Sequence, residues 1–225
     1  MTKLKTQLIE LHELEDIRLK TITEEGKRFY VDDNGDRFPS VTTVTSLLTR
    51  DQIKLWRERV GEEVANKIST RAAKRGTSMH QHIEDYLRKE KEYIEFDDVM
   101  QEAQFKGIRP ILDEIIPIAL EAPLFSRNLK MAGRVDCVGL FDNNLCIIDF
   151  KTSSKFKTEK HAQPWYHQMT AYAIMVEELT GKAIEEVTAL VCMEDGNFQI
   201  FSANPTDYVE SLYDLRRRYK TLYGV

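Results

Sequence analysis

From residue 133 to residue 151 apolar and polar positions alternate on both sides of Asp142-Asn143, a dipeptide suited to positive φ. That pattern predicts a β-hairpin with a two-residue turn. The turn pairs Phe141 with Asn144, Val138 with Ile147 and Asp136 with Asp149. Side chains alternate along a strand, so Lys151 shares a face with Asp149. Val135, Cys137, Ile148 and Phe150 then form the opposite, core-facing side. Two further hairpins are predicted: 27–38 around Asp33-Asn34-Gly35, and 186–202 around Glu194-Asp195-Gly196.

Helical spacing dominates elsewhere. Ser40 follows Pro39 and suits the N-cap of a short helix to residue 48. Helices are predicted over 51–69, 72–89 and 99–120, with an acidic loop after residue 89. Ala72, Gly76, Met79, Ile83 and Leu87 make one apolar stripe. A short strand is expected over 123–127. Pro164 suits the first turn of a helix that runs to Thr180 and stops at Gly181. A last helix covers 207–222. This order predicts an α/β fold with a central mixed β-sheet flanked by helices, an N-terminal hairpin and helical additions.

With 225 residues the chain is long enough for one well-buried domain, with 1–50 as hairpin and short helix, 51–120 as a helical part and 121–225 as the α/β core. No apolar run reaches the length of a membrane span, and the first residues carry no apolar signal core, so a cytoplasmic location is expected. Three scattered cysteines exclude a disulfide framework and leave no C-x-x-C for zinc or an iron–sulfur cluster. The net charge of -5 counts against nucleic-acid binding, because phosphates need positive surface. Basic clusters nevertheless occur at Arg71, Lys74 and Arg75; at Arg127, Lys130 and Arg134; at Lys151, Lys155, Lys157 and Lys160; and at Arg216 to Lys220. A fold that gathers them around one cleft answers the objection; ordinary solvated faces are the plainer alternative.

The hairpin sets two carboxylates about 5 Å apart by their Cβ atoms. At an effective dielectric of about 20 they repel by roughly 3 kcal/mol. A divalent cation between them reverses that sign, and hard oxygen ligands suit Mg²⁺ or Mn²⁺. Lys151 beside them can orient or deprotonate a water, or stabilise developing negative charge. Such an assembly hydrolyses phosphodiesters. The competing reading is a solvated hairpin with incidental acids.

These residues resemble the PD-(D/E)XK nuclease superfamily, in its RecB-like branch. Gly133-Arg-Val-Asp136 is similar to the Gly-x-x-Asp motif, and Ile147-Ile-Asp149-Phe-Lys151-Thr152 to the (Asp/Glu)-x-Lys motif. Gln168-Met-Thr-Ala-Tyr172 resembles the Gln-x-x-x-Tyr motif of that branch, and Arg75-Gly-Thr-Ser-Met-His80 its upstream histidine motif. The stretch from Tyr30 to Pro39-Ser40-Val41 is similar to the N-terminal part of small stand-alone members, phage exonucleases among them.

The resemblance implies a restriction-endonuclease-like core and a metal-dependent DNA exonuclease using Mg²⁺ or Mn²⁺. Catalysis falls to Asp136, Asp149 and Lys151. The implied metal ligands are His80, Asp136, Asp149 and the Phe150 backbone carbonyl, with Glu121 as a further candidate. The candidates for holding substrate are Gln168, Tyr172, Arg75, Arg134, Thr152 and Lys155. The implied partners are single-stranded DNA or duplex ends, and a helicase or single-strand-binding protein, since no Gly-x-x-x-x-Gly-Lys-Ser/Thr motif is present. The cysteines that hold an iron–sulfur cluster in several relatives are missing, so no cluster is expected. Phe156, Trp165 and Tyr166 stack on bases or belong to the core. The alternatives are a flap or single-strand endonuclease and a catalytically inactive DNA-binding subunit.

Overall fold

The hairpin turn forms as its composition predicts: Asp142 and Asn143 both take positive φ, 49° and 64°. It joins β5 (Met131–Phe141) to β6 (Asn144–Ser153), with Phe141 opposite Asn144 and Val138 opposite Ile147. The computed structural model describes residues 9–90, 94–96 and 98–225. The acidic loop expected after residue 89 falls partly on 91–93 and 97, outside the described residues.

The β5–β6 pairing stops at Cys137 and Ile148 and does not extend to Asp136 with Asp149 as expected. Beyond it β5 continues beside β4 (Ile116–Ser126), whereas β6 continues parallel to β7 (Glu186–Met193) as far as Ser153. A notch therefore opens between the central strands, with Asp136 on one wall and Asp149 on the other. β8 (Phe198–Ala203) completes a mixed sheet of order β4-β5-β6-β7-β8. The expected mixed sheet flanked by helices is what the chain forms.

On one face α5 (Glu159–Thr180) and α6 (Val209–Tyr223) bury Met169, Val176 and Leu212 against Val138, Ile147 and Val191. On the other, α3 (Glu62–Arg88) and α4 (Val99–Leu112) bury Met79, Ile83, Phe105 and Ile108 against Cys137, Ile148, Phe150 and Leu190. Val135 joins the first cluster, not the second as strict alternation predicted. The N-terminal strands β1 (Lys20–Glu24), β2 (Lys27–Val31) and β3 (Arg37–Pro39) form a separate sheet, and its Tyr30 and Phe38 pack on Ala132 of β5. Ser40 caps α1 (Val41–Thr45), accepting from the Thr43 N–H at 3.0 Å.

Three helix boundaries differ from the sequence pattern. The break in the helical region falls at Gly61, whose φ of 85° ends α2 (Arg50–Val60), and α3 runs through 69–72 unbroken because nothing there interrupts it. The helix from residue 99 ends at Leu112, and the apolar run after it becomes β4. β4 is an edge strand, which tolerates the missing N–H of Pro117 and Pro123. α5 begins at Glu159, capped by Thr158 paired with His161, so Pro164 lies inside it; Gly181 ends it in the left-handed conformation as expected.

Candidate active site

A cleft of about 500 Å³ opens at the notch. β5 and β6 contribute Gly133, Arg134, Asp136, Asp149 and Lys151; α3 contributes Gly76, Thr77, His80, Gln81 and Glu84; α5 contributes Gln168 and Tyr172. Each carboxylate of the central pair has its own support. Asp136 Oδ2 accepts the Phe150 N–H at 2.8 Å, taking the place of the ladder bond lost where the strands part. His80 Nδ1 stands 3.5 Å from the same oxygen. Asp149 Oδ1 accepts from Gln168 Nε2 at 2.8 Å. The Lys151 ammonium lies 2.5 Å from Asp149 Oδ2, a buried ion pair.

Electrostatics follow from this crowding. Burial, then the Asp149 charge, pushes the Asp136 carboxyl up to about 6, against the pull of His80, Lys151 and the Phe150 N–H. Burial, then Asp136 and Glu84, pushes Glu121 up to about 7. Burial alone depresses Lys151, but the carboxylates of Asp149 and Asp136 more than offset it and leave the ammonium above its ordinary range. Burial, then the two aspartates, lifts Tyr172 well above a normal phenol, so it stays neutral.

Glu121 enters this site through a backbone irregularity. It lies opposite Asp136, between the pairs Leu120–Cys137 and Ala122–Val135, and takes φ 49°. Both strands skip a beat of alternation there: Leu120 and Cys137 join the α3–α4 core, whereas Ala122 and Val135 join the α5–α6 core. A non-glycine residue in that region costs about 1–3 kcal/mol and persists only where its surroundings over-determine it. Ligand atoms of His80, Glu121 and Asp136 all lie within 4.8 Å of one another, the arrangement a metal ion needs. The imidazole and the two hard carboxylate donors fit a divalent cation. Asp149 is not a member of that trio; its oxygens face Gln168 and Lys151. The Phe150 N–H is bound to Asp136 Oδ2, on the side of the strand that its carbonyl, the expected ligand, also faces.

The remaining candidates divide. Arg134 lines the cleft with Gln168 and Tyr172. Arg75 and Thr152 line a second cleft of about 410 Å³ across α3, with Arg71 and Lys157, and Arg75 pairs there with Glu194. Lys155 is exposed on the loop beyond β6, its N–H and carbonyl both bound to Ser153 Oγ. The basic clusters thus gather only in part: Arg127 is engaged by Asp32 and Asp36, and Arg216 donates to the carbonyls of Leu129 and Lys130. Tyr166 is core, Trp165 packs edge-on against Phe201, and Phe156 stands 66% exposed. Sequence reasoning missed Arg28, Ser40 and Gln81, all of which line the cleft. Gln81 shares a helix face with Thr77 and Glu84 and was legible from that spacing; Arg28 arrives only by docking of the N-terminal sheet.

Gly133 explains the glycine of its motif. A Cβ there would fall 2.7 Å from Tyr172 Cε1 and 2.8 Å from its hydroxyl oxygen. Gly133→Ala is expected to cost about 1–3 kcal/mol by displacing a buried ring. Calorimetric melting checks this, and an unchanged Tm would show that the ring yields freely.

Two acids and a lysine at the parted strands of a mixed sheet, with a histidine and a third acid facing them, define a nuclease-type site. A family model of the PD-(D/E)XK nuclease superfamily matches residues 42–221, and the chain belongs to that superfamily. Mitochondrial genome maintenance exonuclease 1 of Homo sapiens is 29% identical over 129 residues, covering 53% of this chain and 38% of that protein. The Mus musculus protein of the same name is 28% identical over 130 residues, covering 52% and 38%. The match thus spans little more than a third of the length of these relatives. The crystal structure of SSO0001 shows a more distant likeness, with a TM-score of 0.40 and 15% identity over 80% of this chain and 75% of that one. Among the described residues no helix is long and apolar enough to cross a membrane.

Proposed function

We propose that this chain is a metal-dependent DNA exonuclease, using Mg²⁺ or Mn²⁺ to hydrolyse phosphodiester bonds at single-stranded or duplex ends in replication, recombination or repair. One observation carries the chemistry: Asp136, Asp149 and Lys151 share a cleft with His80 and Glu121. His80, Glu121 and Asp136 would hold the ion, with Asp149 beside them. When bound, the ion offsets carboxylate repulsion and polarises the phosphate and its attacking water. Gln168 fixes the Asp149 carboxylate, and Phe150 N–H fixes that of Asp136. Lys151 beside Asp149 would orient the attacking water or meet the oxygen gaining negative charge. Arg28 and Arg134 at the cleft wall face the phosphate backbone.

The exonuclease mode is supported by the names of the curated relatives. One domain carries the activity, acting in the cytoplasm of a bacterial cell or phage-infected host, where a helicase or single-strand-binding partner opens duplex substrate. End-labelled linear DNA and closed circular single strands, each with Mg²⁺ and with EDTA, test this. Linear strands should be degraded and circles should persist, with no loss in EDTA. Cutting of circles would assign an endonuclease; no metal-dependent loss of either would leave a DNA-binding subunit.

A further inference from the structure

We infer that Glu15 and Arg88 form a clamp that sets the metal affinity of the site by holding the β4 backbone at Leu120, and through it Glu121; this rests on the assignment of His80, Glu121 and Asp136 as metal ligands. Leu120 lies on the open edge of the sheet, where its amide and carbonyl have no strand partner on the outer side. Both are taken instead by side chains. The Leu120 N–H donates to Glu15 Oε1 at 2.5 Å, and Arg88 Nη2 donates to the Leu120 carbonyl at 2.8 Å. Arg88 Nη1 binds both Glu15 oxygens, at 3.2 and 3.0 Å, and Arg88 Nε binds Glu84 Oε1 at 2.9 Å. One guanidinium thus joins three segments: the turn Leu11–Asp16, α3 and β4.

Two consequences bear on the metal. Glu121 follows Leu120 directly and holds its left-handed conformation. Without an anchor just before it, the backbone would relax to an extended strand and restore ordinary alternation. The carboxylate would then leave the group it forms with His80 and Asp136. Arg88 also sits on the same helix as His80, so its bond to Leu120 fixes the spacing between the histidine ligand on α3 and the acidic ligand on β4. Glu15 and Arg88 are positioning residues: neither lines the cleft.

Calorimetric titration of the full chain with Mn²⁺ alone tests the clamp, with melting of each variant in parallel. Arg88→Lys keeps the charge but loses the planar fork, and Glu15→Ala removes the acceptor. Each is expected to weaken Mn²⁺ binding on the order of 10-fold, the scale seen when supports of metal ligands are removed. Glu15→Gln should recover most of that loss, because its amide oxygen still accepts from Leu120 N–H. Glu121→Gly removes the carboxylate and tolerates the positive φ; in that background Arg88→Lys should cost nothing further. If the wild-type chain binds no Mn²⁺, the metal assignment fails. If it binds, and Arg88→Lys and Glu15→Ala bind as well as wild type, the clamp is wrong. An equal loss from Arg88→Lys with and without Glu121 also overturns it. Should Arg88→Lys not fold, the contrast between Glu15→Ala and Glu15→Gln decides the same question: equal Mn²⁺ affinity in those two variants would overturn the clamp.

Discussion

Asp149→Asn and Lys151→Met proteins are expected to remain folded and to lose DNA cleavage by on the order of 10³-fold or more. Asparagine keeps an oxygen for Gln168 to bind, so the notch retains its shape, but it removes the charge that faces Lys151. Methionine keeps the bulk of the Lys151 stem and removes the ammonium that would meet the developing phosphate charge. The two losses should differ in character. Asp149→Asn should raise the metal concentration needed for half-maximal rate. Lys151→Met should lower the rate at saturating metal. Single-turnover cleavage of a labelled strand across a Mg²⁺ series, with circular dichroism for fold, checks both. Cleavage within tenfold of wild type in either would remove these residues from the chemistry.

Without metal, the protein is expected to lose stability as pH rises from about 4 to 7, and divalent cation should restore it at the upper end. Asp136 is held at about 6 and Glu121 at about 7 in the fold, both above their values in an unfolded chain. A raised acid contributes stability that is fully present below its unfolded pKa and is lost as pH climbs through its folded pKa. That interval sets the range of the loss. Asp136 accounts for about 3 kcal/mol, or roughly 6–12 °C in Tm for a chain of this size. Mn²⁺ binds the deprotonated donors, so its stabilisation should grow over the same interval. Melting at the two ends of the interval, with EDTA and with Mn²⁺, measures this. Asp136→Asn should make the metal-free profile shallower, with Glu121 accounting for the remainder, and an unaltered slope in that variant would place the effect elsewhere.

The parts of the fold legible in sequence are those fixed by neighbours along the chain. The Asp142-Asn143 turn sets the β5–β6 register, Ser40 sets the start of α1, and Gly181 sets the end of α5. Of the boundaries that differ, two follow local signals, Gly61 after α2 and the Thr158–His161 cap before α5, and one is decided by sheet pairing. The helical run expected from residue 99 is too long: from Ile116 onward, where Pro117 and isoleucines favour an extended backbone, the chain pairs along β5 as an edge strand. The site divides in the same way. Asp136 sits where β5 skips a beat, short of its expected pairing with Asp149, whereas Asp149 and Lys151 share one strand and can be placed from alternation. Glu121 cannot, because its part depends on a single reversed φ, which no side-chain pattern announces. Glu15 and Arg88 act on a backbone 105 and 32 residues away, and Arg28 reaches the cleft from a separate sheet.

The two borders of the central sheet also differ in their openness to strangers. Along β4, prolines and the side chains bound to Leu120 leave little for an incoming chain to join. β8 presents Phe198 and Ile200 partly exposed, with no such cover from proline. Self-association of heated or partly unfolded protein should therefore nucleate at β8, and a lysine in place of Ile200 should keep concentrated solutions clear for longer.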